Sequence, residues 1–232
     1  MKFVATLAVA LFAAQSAFGA TKLNIGTVPT VGDGPLICAI EKGWFKEQDL
    51  DVELTSFRSG ADMVPQIARG DIPLMGGGLS ASFFNAIADG MPIRYFANRA
   101  QSPVHHQLVL RKDIAAKVKS IKDLKGLRLA TTGAGAQTEY ETAKVLESAG
   151  LTLDDVDMKS LGMPETVLAL TSGAIDGAVL VPPLDRNAVQ AGHVAFVDPD
   201  DVIGQKLEVS GMFYNLDWAN KNRDVLDRFT VA

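Results

Sequence analysis

The sequence predicts an α/β protein built from two similar lobes with a ligand cleft between them. Short apolar runs alternate with helix-like patterns, which is typical of β/α units around a mainly parallel sheet. The same order of elements occurs twice, and glycine-rich loops follow several predicted strands. A cleft between two lobes is a common place for a small ligand. We therefore expect a binding site between the two halves of the chain.

The first half contains four predicted strands and three predicted helices, and a glycine follows each helix as a stop signal. The strands are Leu23–Val28, Leu50–Phe57, Ile72–Met75 and Ile93–Ala97, and the helices are Pro35–Lys42, Asp62–Arg69 and Ser80–Asp89. In the first helix we expect Leu36, Ile37 and Ile40 to share the buried face. Cys38, the single cysteine, lies in the same apolar run, so we expect it to be a small buried filler.

The second half repeats this order. Its predicted strands are Gln107–Arg111, Leu127–Thr131, Val156–Leu161 and Ile175–Val181, and its helices are Ser120–Lys125, Gln137–Ala149 and Pro164–Ser172. Ser120 and Asp123 have the spacing of a capping box. In the helix from Gln137, we expect a buried side formed by Tyr140, Ala143, Leu146 and Ala149.

A weak internal repeat in the sequence supports two lobes with the same fold. Gly70, Asp71 and Ile72 precede an apolar strand in the first half, and Gly173, Ala174 and Ile175 do so at a constant offset in the second half. The match in element order is the stronger argument, because any single pair of segments could agree by coincidence.

The first 20 residues have the three-part layout of a secretory signal peptide. Lys2 is basic, Phe3 to Ala14 is almost wholly apolar, and small residues follow. The apolar run is too short for a helix to cross a hydrocarbon core of roughly 30 Å. We expect cleavage near Gly19 or Ala20, no lipid-modified cysteine at that point, and a mature protein free in the periplasm.

The charge of the chain excludes some classes of partner. The full sequence has 22 basic and 27 acidic residues, a formal net charge of −5. A mildly acidic, well-mixed surface argues against nucleic acid or an anionic membrane as the partner.

Four loops at the predicted carboxyl ends of strands are rich in small or turn-forming residues. In open α/β sheets ligands bind at this edge, against helix N-termini with free N–H groups. The alternative is that these loops are only tight strand-to-helix turns, but four of them favour a site. The candidate ligand-binding residues are Pro29, Val31, Gly32, Asp33, Phe57, Gly77, Gly78, Leu79, Ser80, Thr132, Gly133, Gly135, Gln137, Thr138, Met163, Glu165 and Pro183.

The charges near these loops leave the ligand open. Arg58 or Arg99 could serve as a counter-charge for an anion. Asp33, Glu165 and Asp185 would repel a bare anion, but we interpret each as a solvated cap or turn residue. An apolar subsite formed by Leu79, Phe57 and Pro183 favours an organic acid with an apolar body.

The patterns of common catalytic and metal sites are incomplete in this sequence. Residues 78–82 lack the final glycine of a nucleophile elbow, and Gly133-x-Gly135 lacks the third glycine of a dinucleotide fingerprint. The histidines His105, His106 and His193 have no ligand partners at metal spacing, so we interpret them as hinge or surface residues. We expect no catalytic residue, no metal and no cofactor.

A set of ordered motifs resembles the NMT1/THI5-like family, which contains the nitrate, taurine and alkanesulfonate binding proteins of ABC importers. The motifs are Gly26-x-x-Pro29, Ala39-x-x-Lys42-Gly43-x-Phe45-Lys46-x-x-x-Leu50-x-Val52, Ala68-x-Gly70-Asp71-Ile72, Ile121-x-Asp123-Leu124-Lys125-Gly126, Leu146-x-x-Ala149-Gly150-Leu151, Asp154-x-Val156 and Leu170-x-Ser172-Gly173-x-Ile175-Asp176-Gly177-Ala178. Their shared order along the chain is more specific than any one of them.

The resemblance implies a type II periplasmic-binding-protein fold, in which two crossover segments join the lobes and act as a hinge. On that basis we expect a signal peptide at 1–20, lobe 1 at 21–103, lobe 2 at 104–197, and a return to lobe 1 at 198–232. The crossovers would lie near Ser102–His105 and Val197–Val202. The open helix-like pattern from Asn222 to Ala232, with Val225, Leu226 and Phe229 on one side, suggests that the sequence is truncated.

The resemblance also implies a function. We expect a periplasmic solute-binding component of an ABC importer that captures a small anionic, sulfonate- or carboxylate-like solute by lobe closure and does no chemistry on it. Its partners would be the solute and the permease subunits at the inner membrane, and it would be a monomer. Two alternatives stay open: an enzyme of thiamine-pyrimidine synthesis on the same fold, which should lack an export signal, and a ligand-sensing module.

Overall fold

The computed structural model describes residues 19–232, so the predicted signal peptide lies outside the described residues except for Gly19 and Ala20. The described strands form two five-stranded sheets. The first sheet contains β1 (Thr21–Thr27), β2 (Leu50–Ser56), β3 (Leu74–Gly78), β4 (Ile93–Gln101) and β10 (Glu208–Asn215). The second sheet contains β5 (Gln107–Leu110), β6 (Arg128–Thr131), β7 (Asp157–Ser160), β8 (Gly177–Leu180) and β9 (Val194–Val197).

The two sheets have the same strand order. The first runs β2-β1-β3-β10-β4 and the second runs β7-β6-β8-β5-β9. In each, the first three strands are parallel, and the fourth, β10 or β5, is antiparallel to both of its neighbours. Two α/β lobes of one design were predicted from the repeat, and this fold class is confirmed.

Helices flank both sheets and connect their strands. They are α1 (Gly34–Lys42), α2 (Trp44–Glu47), α3 (Gly60–Arg69), α4 (Ala81–Ala88), α5 (Lys112–Ala115), α6 (Gln137–Glu147), α7 (Met163–Ser172), α8 (Leu184–Gln190), α9 (Pro199–Ile203), α10 (Leu216–Lys221) and α11 (Arg223–Val231). Left-handed glycines Gly43, Gly70 and Gly173 end α1, α3 and α7, as predicted, because this backbone conformation costs glycine little. The predicted helix at Ser120–Lys125 is a short 3₁₀ turn, and its capping box is present.

Each lobe has its own apolar core. In the first lobe, Phe83 of α4 and Phe213 of β10 are fully buried and stack with ring centroids 4.0 Å apart. In the second, Leu108, Leu129 and Leu146 pack among other aliphatic side chains of the sheet and α6. The sheets are therefore anchored independently, and relative movement of the lobes leaves both cores intact.

Two predicted helix faces are wrong in part, because Leu36 and Leu146 are buried as predicted but other members of each face are exposed. On α1, Leu36 and Ala39 are buried, whereas Ile37 and Cys38 are exposed. The buried face of α1 runs through Leu36 and Ala39, three residues apart, and Ile37 and Cys38 are turned away from it, so the apolar run does not bury its cysteine. Tyr140 on α6 is also exposed. The face that α6 buries consists of Thr138, Glu141, Thr142, Val145 and Leu146.

Two chain segments connect the lobes, residues 102–106 and 198–207, and they bond to each other. Ser102 donates its backbone N–H to the Leu207 carbonyl (2.8 Å), and the Leu207 N–H donates to the Ser102 hydroxyl (2.8 Å). The backbone N–H groups of Val104 and His105 both donate to Asp200. For the lobe boundaries themselves we propose those expected from the sequence, at 103 and 197.

None of the helices within residues 19–232 combines the length and apolar character that crossing a bilayer requires.

Candidate ligand-binding cleft

A cavity of about 320 Å³ lies between the two sheets, at the carboxyl ends of their parallel strands. The first lobe contributes Val28, Thr30, Val31, Gly32, Arg58, Ser59, Gly60, Gly77, Gly78, Arg99, Ala100, Val209 and Ser210. The second lobe and the first connection contribute Val104, His106, Thr132, Ala136, Gln137, Thr138, Met163, Val181 and Pro182. Both lobes therefore contribute residues to one shared cleft, as the fold class predicts.

The structure brings eight of the seventeen candidate residues to the cavity wall and leaves nine outside it. Those that line the cavity are Val31, Gly32, Gly77, Gly78, Thr132, Gln137, Thr138 and Met163. Those that do not are Pro29, Asp33, Phe57, Leu79, Ser80, Gly133, Gly135, Glu165 and Pro183. All four predicted loops thus contribute at least one residue to the cavity wall, and about half of the candidate residues lie outside that wall.

Asp33 corrects the interpretation given to acidic residues near the loops. It is only 2% exposed, not solvated, and its carboxylate accepts hydrogen bonds from Arg99 and from the Thr27 hydroxyl. A buried carboxylate needs such partners because burial without them is costly. Asp185 is also buried, whereas Glu165 is exposed as expected.

Ser80 shows why a loop residue can miss the cavity. It lies at the N-cap of α4 but is buried beneath Gly60, and its hydroxyl has no hydrogen-bond partner within the described part of the chain. A Cβ placed on Gly60 would lie 2.9 Å from the Gly78 carbonyl oxygen. Gly60 and Gly78 therefore pack directly together and separate the Ser80 hydroxyl from the ligand space.

Two arginines of the first lobe line the cavity, and both were considered as counter-charges. Arg99 is buried against Asp33, with side chains only 7% and 3% exposed. Arg58 lies at the more open side and pairs with Asp62 at 3.2 Å. A Cβ on Gly76 would lie 2.9 Å from the guanidinium carbon of Arg99, so this glycine of β3 makes room for the guanidinium.

The amino end of α6 forms the opposite wall. The Thr132 backbone N–H donates to the Thr138 hydroxyl (3.0 Å), and the two threonine hydroxyl oxygens are 3.1 Å apart. Gln137, the first residue of α6, directs its amide N–H to Glu141 one turn later (2.9 Å). This wall offers neutral hydrogen-bonding groups and helix N–H groups, which favour an anion or a polar group.

His106 is the most informative lining residue that the sequence did not predict. The sequence interpretation was a hinge or surface residue; His106 lies in the first connection but not at the surface, because its side chain is only 12% exposed. Its Nδ1 lies 2.9 and 3.1 Å from the two carboxylate oxygens of Glu141. Burial lowers the pKa of His106, but the hydrogen bond and charge of Glu141, with Asp200 and Asp198 behind them, raise it more, so the net pKa lies above the ordinary value.

The two lobes touch across the cleft. The backbone N–H and the hydroxyl of Ser82 on α4 lie 3.5 and 3.4 Å from the Gly135 carbonyl oxygen. A Cβ on Gly78 would lie 3.2 Å from Cβ of Gln137. The lobes are therefore closed on each other. We call the contacts of Ser82 with Gly135 and of Gly78 with Gln137 the seam, and each of them needs a glycine on one side.

His105, Asp198 and Asp200 bring three potential metal-ligand atoms within 4.8 Å of one another. The carboxylates are already engaged, because Asp198 accepts from the Gln107 amide and from the Asp200 backbone, and Asp200 accepts two backbone N–H groups. We assign this cluster to the joint between the connections rather than to a metal.

The family model described as NMT1/THI5 like matches residues 33–232 of this chain. The taurine-binding periplasmic protein of Escherichia coli K12 is 28% identical over 222 residues, which is 93% of this chain and 66% of that protein. The nitrate import ATP-binding protein NrtC of Synechocystis is 29% identical over 86% of this chain and 32% of its own length. The chain therefore spans less than two thirds of the length of both relatives.

Solved structures share the fold. The alkanesulfonate-binding protein SsuA of Xanthomonas axonopodis pv. citri, bound to MOPS, superposes with a TM-score of 0.76 at 18% identity, over 90% of this chain and 70% of that chain. The periplasmic nitrate-binding protein NrtA of Synechocystis PCC 6803 gives 0.71 at 15% identity, over 90% and 59%.

Proposed function

This chain belongs to the NMT1/THI5-like family, and from that premise we propose that it is the solute-binding component of an ABC importer, which captures a small anionic organic solute between its lobes. The observation that supports this most is the cavity between two lobes in contact, with basic side chains and helix N-termini in its walls. Its relatives include periplasmic binding proteins for taurine, alkanesulfonates and nitrate.

The charge of the wall supports an anion. Arg58, Arg99 and His106 line the cavity, and no carboxylate of residues 19–232 is part of its lining. The acidic groups beside them, Asp33 and Glu141, are turned away into the lobes, where they hold the basic groups in place. An acidic head group near these three side chains would therefore face basic groups and no lining carboxylate.

The size and apolarity of the cavity support an organic body on that head group. A volume of about 320 Å³ falls at the lower end of the range for ligand pockets, and nitrate would leave most of it empty. The apolar part of the lining consists of Val28, Val31, Val104, Met163, Val181, Pro182 and Val209. A sulfonate or carboxylate with a short apolar chain fits both features.

Lobe closure supplies the transport signal in this proposal. A solute that touches Gly32 and Gly77 on one wall and Thr132 and Thr138 on the other binds the closed form more tightly than the open form, and so shifts the hinge equilibrium. The permease would recognise the closed pair of lobes. We propose a monomer, exported by the signal peptide at 1–20 and located in the periplasm.

We also propose that the chain does no chemistry on its solute. Within the described residues, His106 bonds only Glu141, so no hydroxyl is set beside it as a nucleophile. The binding-protein relatives agree with this proposal.

Thermal unfolding of the mature protein tests the proposal against a panel of butane-1-sulfonate, hexanoate, taurine, nitrate and a hydroxymethylpyrimidine. We expect the apolar sulfonate or carboxylate to stabilise the fold, by about 2.7 kcal/mol at a hundredfold excess over Kd. The solute should be recovered unchanged. Conversion of the solute would favour the enzyme alternative, and stabilisation by the pyrimidine alone would overturn the anion assignment.

A further inference from the structure

His106 stands where the hinge, the cavity and α6 meet. It is the last residue of the first connection and directly precedes β5. Its ring lines the cavity, and Nδ1 is occupied by Glu141. Among residues 19–232 no group hydrogen-bonds Nε2, so this is the ring nitrogen left for a solute.

Glu141 fixes both the position and the charge of this ring. Its side chain is only 6% exposed, and Gln137 donates a second hydrogen bond to it (2.9 Å). A buried carboxylate is costly without a cation, and among its hydrogen-bond partners only the imidazole can carry a positive charge. The carboxylate therefore favours the imidazolium, in which both ring nitrogens donate.

The other charged groups near the imidazole ring have opposite effects on its protonation. Asp198 and Asp200 of the second connection add negative charge near the ring, and both raise the pKa of His106. Arg58 and Arg99 line the same cavity from the first lobe and oppose protonation, but each is paired with a carboxylate of its own. The net effect of these groups is to raise the pKa of His106 above its ordinary value and so to favour the imidazolium over the neutral ring.

We propose that His106 makes this cleft selective for anions through a contact that depends on pH. The imidazolium, held by Glu141, donates its Nε2–H to the acidic group of the solute. In the neutral ring Nε2 carries no proton, so this hydrogen bond is lost. Glu141 is the positioning residue. This inference rests on the proposed function, because it concerns the same cavity. The two arginines cannot provide such a contact, since guanidinium groups stay charged at all physiological pH values.

The proposal predicts a pH profile that an ordinary arginine-based anion site lacks. Once the imidazole loses its proton, the affinity for an anion should fall by up to about tenfold per pH unit, because one proton is coupled to binding. An uncharged solute gains nothing from the imidazolium and should show no such profile.

Titration calorimetry with butane-1-sulfonate from pH 5.5 to 9, in Bis-Tris and Tris buffers free of sulfonates, measures this profile. We expect Kd to rise with pH in the wild type and to be nearly flat in His106→Gln, whose amide N–H can still donate. Glu141→Gln should move the wild-type rise to lower pH. His193→Gln is the matched control, because His193 lies outside the cavity lining and its substitution should leave the profile unchanged.

The outcomes separate this inference from the proposed function. Binding with a flat profile in the wild type, or a pH dependence that persists in His106→Gln, would overturn the role of His106 alone. Absence of binding by any anion of the panel at every pH would overturn the proposed function, and the inference with it. Proton NMR of the three histidine rings provides the second readout: added sulfonate should raise the His106 pKa further, and an unmoved His106 resonance contradicts direct contact.

Discussion

Each lobe buries a carboxylate against arginine, but the two clusters lie at opposite ends of their sheets. Asp33 and Arg99 meet beside the carboxyl ends of β1 and β3, and Arg99 lines the cavity. Asp176 accepts from the backbone and guanidinium of Arg128 (2.9 and 2.7 Å) and lies 3.2 Å from Arg111, at the amino ends of β6 and β8. The same interaction thus occurs once at the cleft and once far from it.

The difference shows that position along the strands, rather than residue type, separates a binding group from a structural one. Ligands of α/β sheets meet the carboxyl ends of parallel strands, so only the first cluster can add its charge to recognition. The second cluster joins the loop before β8 to the start of β6, and its three residues lie outside the cavity lining. Four substitutions sharpen or break this comparison.

Arg99→Met should have the largest effect. It leaves Asp33 buried without its cation, and breaking one side of a buried pair costs about 3–5 kcal/mol. Urea unfolding should show this loss, and calorimetry should show weaker binding of butane-1-sulfonate, because Arg99 also lines the cavity. The double variant Asp33→Asn with Arg99→Met removes the orphaned charge and should recover much of the stability but not the affinity. Full recovery of affinity would contradict a role for Arg99 in the cleft.

Asp176→Asn should lower stability and leave binding alone. Loss of hydrogen bonds to charged groups costs about 1.5–3 kcal/mol. Arg128, then Arg111, hold the pKa of Asp176 below its ordinary value, so its stabilisation is present above about pH 4 and is lost as pH falls through the lowered pKa. The stability difference between wild type and variant should therefore vanish in acid unfolding experiments at low pH. A change in Kd at neutral pH would break the separation of the two clusters.

Gly78→Ala tests the seam between the lobes. The backbone of Gly78 suits alanine, but the added methyl group would meet Gln137 across the cleft. Overpacking of this kind costs roughly 1–3 kcal/mol, so we expect about a tenfold loss of affinity and a larger radius of gyration by small-angle X-ray scattering with ligand. Gly34→Ala is the matched control, because nothing lies within 4 Å of its Cβ position. Normal closure of Gly78→Ala would show that the seam is adaptable.

Thr132→Ala should have the smallest effect on binding, a loss of about 0.5–1.5 kcal/mol, because one neutral hydroxyl is removed from the cavity wall. Ser80→Ala is its control. The Ser80 hydroxyl is buried and has no hydrogen-bond partner among residues 19–232, so its removal should change neither affinity nor stability by more than about 0.5 kcal/mol. If Ser80→Ala weakened binding as strongly as Thr132→Ala, the assignment of Thr132 to the cavity wall and of Ser80 to a position outside it would be contradicted.

The fold class and the family could be predicted from the sequence because both depend on the order of elements and motifs along the chain, which does not require each side chain to be placed correctly. Strand and helix order, and glycine at helix ends, follow from periodicity and backbone conformation. The strand β3 was placed too early, at Ile72–Met75, since glycines do not favour strands. In the structure Gly76 and Gly77 pair with Met212 and Gly211 of β10, so tertiary pairing overrides propensity.

The site was harder to predict because its residues depend on contacts between distant segments. The proposed role of His106 depends on its hydrogen bond to Glu141, which lies 35 residues further along the chain, and the spacing of the two residues in the sequence does not predict that contact. Val209 and Ser210 line the cavity only because β10 inserts between β3 and β4. Asp33 looked like a solvated turn residue because Arg99 is 66 residues further along the chain.

The insertion of β10 also bears on the order in which the lobes are completed during synthesis. All five strands of the second sheet come from one continuous stretch, residues 107–197. The first sheet cannot be completed before residues 208–215 are made, because within the described sheet β10 is the strand that pairs with the outer strand β4. A chain made from its amino end therefore completes its second sheet first, and its earliest strands stay unfinished until almost all of these residues are available.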